Sequence, residues 1–194
     1  KLMELYFQKG NLDEDEMRAG IKKGMMSHDI FPVFCLSAKK NMGSGRLMGF
    51  IDNVAPSAIE MPAERTTDGQ ELFCKVDGPP VLFVFKTLVE PHLGKLTFFK
   101  VLSGEVVAGT DLVNSDTGVT ERIGQLFIMD GKNRNPIDRL KAGDIGSTLK
   151  LKSTLTNHSL TAKGSGIKIE PIQFPVPRIR VAIIAKNKTD DEKL

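Results

Sequence analysis

Gly94-Lys95-Leu96-Thr97-Phe98-Phe99-Lys100-Val101-Leu102-Ser103-Gly104 is a β-rich run held between two glycines. It belongs to a series. Residues 81–89, 95–102, 105–107, 111–114, 119–129 and 144–151 are short β-rich runs alternating with turn residues. Runs at this spacing predict an antiparallel barrel or sandwich, here placed over residues 79–170. Ser115-Asp116-Thr117-Gly118 has the composition of a hairpin turn. Of the two arrangements, a closed barrel has the advantage that it leaves no unpaired sheet edge.

The flanking residues read differently. Residues 1–56 have an α/β pattern. Leu2, Leu5 and Tyr6 recur at helical spacing, and Gly10 can close that helix. Asp13 and Glu16 stand at capping-box spacing before Met17, Ile21 and Met25, which share a helical face. Phe31-Pro32-Val33-Phe34-Cys35-Leu36 is a continuous apolar run, the pattern of a strand buried on both faces of a parallel sheet. A loop, residues 37–43, follows it. Leu47, Phe50, Ile51 and Val54 then define an amphipathic helix that Pro56 helps to end. A parallel strand needs neighbours, and residues 1–56 supply none, so its partners are expected before Lys1. Residues 57–78 read as a connector with one short strand near residues 72–76. Pro171, Pro175 and Pro177 stiffen a linker, and an extended run at 179–185 is expected to enter a third domain. Thr189 and Glu192 then stand at the spacing of another helix cap, which points to a chain continuing past Leu194.

Composition narrows the function. The chain is 40% hydrophobic and 26% charged, as a globular protein is, and its net charge of +3 is too mild to mark a nucleic-acid binder by itself. No apolar run reaches the roughly 20 residues of a membrane helix, and the opening residues lack the pattern of a signal peptide. Two cysteines, Cys35 and Cys74, make no disulfide framework and fit a reducing, cytoplasmic setting. His28, His92 and His158 are scattered, which argues against zinc. Cys35 with His28 and Asp29 spells a nucleophile, base and orienter, but a cysteine inside a buried strand is expected to be inert. Gly43-Ser44-Gly45-Arg46 lacks the spacing and the Lys-Ser/Thr pair of a phosphate-binding loop. No catalytic residue is expected in this chain.

Several segments, in order, resemble elongation factor G. Phe31 to Gly43 is similar to the last strand of that family's GTP-binding domain and its Ser-Ala-Lys loop. Residues 94–104, then Arg122-Ile123-Gly124-Gln125-Leu126, Met129, Ile137 and Ala142-Gly143-Asp144-Ile145, keep the order and spacing of its second domain. Phe174-Pro175-Val176-Pro177 resembles the junction into the third. The resemblance implies the tail of a P-loop GTPase domain (1–56), a connector (57–78), a closed translation-factor β-barrel (79–170), and a linker with the start of an α+β domain (171–194). It implies an internal fragment of a translational GTPase that promotes tRNA and mRNA movement on the ribosome, with GTP/GDP and Mg bound only in the full-length parent. Ser37, Ala38 and Lys39 would lie against the guanine base there. The barrel would contact small-subunit ribosomal RNA, with Lys95, Lys132 and Arg134 as candidate phosphate contacts. A ribosome-protection or release-factor-type GTPase shares this barrel, and a non-enzymatic β-barrel binding module is the alternative from another class. One departure stands out: where the family commonly has Thr-Gly-Asp-Thr-Leu, this chain has Thr156-Asn157-His158-Ser159-Leu160.

Overall fold

The structure, a computed structural model, describes residues 2–90 and 94–184. Among them are three helices: α1 (Leu2–Lys9), α2 (Glu14–Met26) and α3 (Ser44–Asn53). Twelve strands follow: β1 (Glu64–Arg65), β2 (Glu71–Leu72), β3 (Val81–Glu90), β4 (Gly94–Ser103), β5 (Glu105–Val107), β6 (Asp111–Asn114), β7 (Thr120–Arg122), β8 (Leu126–Asp130), β9 (Asn133–Ile137), β10 (Arg139–Lys141), β11 (Ile145–Leu149) and β12 (Ser159–Thr161). The chain divides into two compact units, residues 1–62 and 63–194.

In the first unit the local signals act as expected. Gly10 ends α1 at a φ of 71°, a left-handed conformation that suits glycine. Asp13 and Glu16 form a reciprocal capping box at the start of α2. The expected buried strand is not formed. Residues 31–36 pair with no other strand among the described residues, and Phe31, Val33 and Leu36 are exposed. The physical reason is the one foreseen: a central strand takes its hydrogen bonds from neighbours, and this unit has none to offer. Phe34 still meets Phe50 of α3 edge to face, 4.8 Å between ring centres.

The second unit is built on an eight-stranded antiparallel sheet in the order β7-β6-β12-β3-β4-β11-β8-β9. It curls into a half-barrel. No ladder among the described residues joins β7 to β9, so the continuous ring expected from the sequence is not seen. Instead the separate β5–β10 ribbon sends Val106 and Leu140 into the core. There they join Leu82, Val84, Phe99, Val101, Leu112, Ile123, Leu126, Leu151 and Leu160, all essentially removed from water. Gly146 of β11 makes room for this: a Cβ there would stand 2.1 Å from Leu140 Cδ1. Pro136 lies on β9, an outermost strand, where a missing backbone donor costs least.

The run at 119–129 divides into β7 and β8 around Ile123, and β9, β10 and β12 were not foreseen. Residues 63–78, read as connector, are part of the second unit. β1 pairs with β2, Thr66 bridges Ile169, and Lys75 bridges Ser103. Residues 171–184 carry no helix or strand, so the strand expected to enter a third domain does not appear at 179–184. The helix cap expected at Thr189 lies outside the described residues, as does His92.

Gly104 combines a φ of 70° with backbone crowding: a Cβ would meet Gly78 O at 2.4 Å and Pro79 C at 2.7 Å. Gly104→Ala is expected to destabilise the second unit by roughly 2 kcal/mol or more, whereas Gly124→Ala, in open space, should change stability by less than about 0.5 kcal/mol. Urea unfolding of the two variants checks this. In the first unit, the Ser57 N–H, Lys22 and the Ser57 hydroxyl hold the Glu60 carboxyl down to about 2, from an ordinary 4.5. A depressed carboxylate contributes stability above its unfolded value and loses it as pH falls through the folded one. NMR titration should therefore place the Glu60 midpoint near 2, and Ser57→Ala should raise it.

Candidate functional site

The loop expected to face a guanine base is short and internally closed. Ser37 N donates to Met42 O and Met42 N to Ser37 O, both at 3.0 Å, and Asn41 N donates to Ala38 O at 3.1 Å. Asn41 takes a φ of 50°, which asparagine tolerates. The Ser37 N–H is thus already used. Among the described residues the N–H groups of Ala38 and Lys39 have no acceptor, and both residues are exposed.

The three basic candidates do not form one patch. Lys95 opens β4, and its ammonium donates to the carbonyl of Thr154. It is therefore an internal tie rather than the loop cation expected. Lys132 is exposed in the tight turn between β8 and β9, and Arg134 is half-buried on β9 opposite Met129. Leu96 pairs with Leu149, and Thr148 with Leu126, so Lys95 lies at the β8 start. The Lys132 turn is at the other end of the same ladder.

Cys35 is exposed, not buried as expected, because its segment has no sheet around it. Asp29 accepts from Ser27 Oγ at 2.6 Å, and among the described residues no hydrogen bond joins His28 to Cys35. Among those residues no cluster of three or more His, Cys, Asp and Glu has the arrangement of a metal site.

The most organised polar cluster lies where sequence patterns offer least warning. Glu121 of β7, only 6% exposed, accepts from Lys152 N (3.2 Å), Ser153 N (2.6 Å) and Thr154 Oγ1 (3.0 Å). Fully buried Asn114 accepts from Asp116 N and Thr117 N and directs Nδ2 to Ser153 O, Thr154 Oγ1 and His158 Nδ1. Asp116 accepts from Ser159 N, and Ser159 Oγ accepts from Ile169 N. Most of these partners stand tens of residues apart, so no motif spacing announces them. Only the unusual His158 marked the place.

The architecture is that of a translation-factor second domain. Residues 79–163 match the family described as elongation factor G domain 2. That segment is of this type. In fold the chain is also similar to a crystal structure of a protein from Thermus thermophilus, at 19% sequence identity and a TM-score of 0.68. The match covers 97% of this chain, which spans only 27% of the length of that protein. No helix among the described residues is long and apolar enough to cross a membrane.

Glu121→Ala would leave two half-buried N–H groups and the buried Thr154 hydroxyl without their acceptor. Its expected cost is on the order of 3 kcal/mol. Glu121→Gln, which keeps one acceptor oxygen, should cost less. Denaturant midpoints of the two variants test the ranking.

Proposed function

We propose that this chain is part of a longer elongation factor G-like translational GTPase, and that its second unit docks on the ribosome through small-subunit RNA. The observation that carries this reading is the domain 2 match across residues 79–163, on a sheet of the corresponding kind. In the longer protein the sheet would complete a closed barrel. Residues 1–56 would be the tail of the GTP-binding domain, where the strand at 31–36 finds its neighbours, and 171–194 would enter a third domain. GTP with Mg would supply the hydrolysable phosphoanhydride that drives tRNA and mRNA movement. Of the nucleotide, only the guanine has a candidate contact in this chain: the N–H groups of Ala38 and Lys39, without an acceptor among the described residues, would donate to its carbonyl, and the Lys39 stem would lie along the ring. The 194 residues contain no phosphate-binding loop, so catalysis would belong to the parent.

The altered Asn157-His158 pair favours a divergent paralogue as the second reading. His158 Nδ1 nevertheless accepts hydrogen bonds in its turn, as a carboxylate there would, so the replacement leaves the unit's fold intact.

Turnover of GTP by the longer gene product, with and without ribosomes, tests the proposal. Strong stimulation supports a translational GTPase; binding without stimulation supports the paralogue; neither binding nor ribosome association leaves a non-enzymatic binding module. For the chain itself, Lys132→Glu is expected to weaken co-sedimentation with ribosomes several-fold and to lower the salt slope by about one charge, with the fold unchanged.

A further inference from the structure

The turn at 154–158 is closed by an acceptor that can titrate. His158 Nδ1 lies 3.0 Å from Asn114 Nδ2 and 3.1 Å from Leu155 N. Leu155 N–H can only donate. The Asn114 amide is oriented by the donors on its Oδ1, Asp116 N at 3.0 Å and Thr117 N at 3.3 Å, so its Nδ2 must face the histidine. Two donors therefore converge on Nδ1. Nδ1 is thus placed as an acceptor for both.

Protonation would place a hydrogen on Nδ1, aimed at those two donors. The neighbouring charges do not offer it a new partner. On β7, Glu121 is filled by Lys152 N, Ser153 N and Thr154 Oγ1. In the β6–β7 turn, Asp116 holds Ser159 N, with Lys168 Nζ 4.0 Å from its other oxygen. From β4 comes a cation, Lys95, on the Thr154 carbonyl. β3 contributes the Val84 main chain and the Thr87 hydroxyl, neither of them ionisable.

The residue beside this histidine holds the chain that leaves the sheet. Asn157, at a φ of 73°, donates its N–H to Val84 O at 2.7 Å. Its carboxamide grips Ile172 on both sides: Nδ2 donates to Ile172 O at 3.2 Å, and Ile172 N donates to Oδ1 at 3.0 Å. A glycine at 157 could make neither bond.

We propose that the 153–158 turn is an acid-released clamp on the outgoing chain. Neutral His158 keeps the turn closed and Asn157 in place. Protonated His158 opens the turn, frees Ile172, and uncouples the residues after it from the sheet.

Amide hydrogen exchange on the full 194-residue chain, corrected for the intrinsic pH dependence of exchange, tests this from about pH 8 to about pH 5. Protection at Leu155 and Ile172 is expected to fall about tenfold or more, the equivalent of one or two ordinary hydrogen bonds, while Phe99 in β4 keeps its own. In His158→Asn, whose side-chain oxygen accepts without titrating, both amides should stay protected throughout. In Asn157→Gly, Ile172 should lose protection at every pH and Leu155 should keep its pH dependence. Ring nitrogen shifts should report the Nε2–H tautomer at high pH. An Nδ1–H tautomer, constant protection of Ile172 in the wild type, or an unchanged acid loss in His158→Asn would each overturn the proposal. Unaltered protection of Ile172 in Asn157→Gly would do the same for the clamp.

Discussion

Leu82 and Val84 of β3 and Phe99 and Val101 of β4 present one apolar surface, and that surface has to be taken out of water. The rest of the second unit follows from this constraint. Strands β6 and β12 extend the sheet on one side, and β11 and β8 extend it on the other. The sheet alone does not cover its own inner face. The β5–β10 ribbon supplies Val106 and Leu140, and Leu151 arrives from the segment after β11. Gly146 is a side chain left out so that Leu140 can approach, and Gly104 is another, where the β4–β5 turn runs against residues 78–80.

Covering the core in this way buries backbone. The segment 150–158 touches the sheet's main chain only near its two ends, Lys150 N on Lys95 O, Asn157 N on Val84 O and His158 O under Val84 N, and the groups between need other partners. Such groups are costly unless paired. Glu121 and Asn114 meet the need from opposite directions, one accepting from Lys152 N and Ser153 N and the other donating to Ser153 O. A hydrophobic packing problem thus produces a polar solution, and the polar solution fixes the turn from which the chain departs.

This division explains what could be read in the sequence. Patterns confined to a few residues were legible: the Asp13–Glu16 box, the Gly10 helix end, the strands at 81–90 and 94–103, and the turn at 115–118. Strands without apolar character were not. β9, with Asn133, Arg134, Asn135 and Pro136, has the composition of a loop and is a strand only because β8 lies alongside. The apolar run at 31–36 failed for the complementary reason, since composition cannot provide neighbours. In the candidate site, the Ser37–Lys39 loop was visible as a motif, whereas the use of Lys95 as a tie to Thr154 depends on a contact between distant parts of the chain.

The position of Pro136 has a consequence for how copies of this unit behave in a crowded solution. A sheet that stops at a free strand is a template on which another molecule can add its own, and growth by such addition needs an unbroken row of donors and acceptors. β9 offers a row with a gap at Pro136, and its tip carries the charge of Lys132. At the far border β7 is only three residues long. Neither border can seed a long ladder, so the half-barrel can remain open to a partner of another kind without becoming a filament of itself.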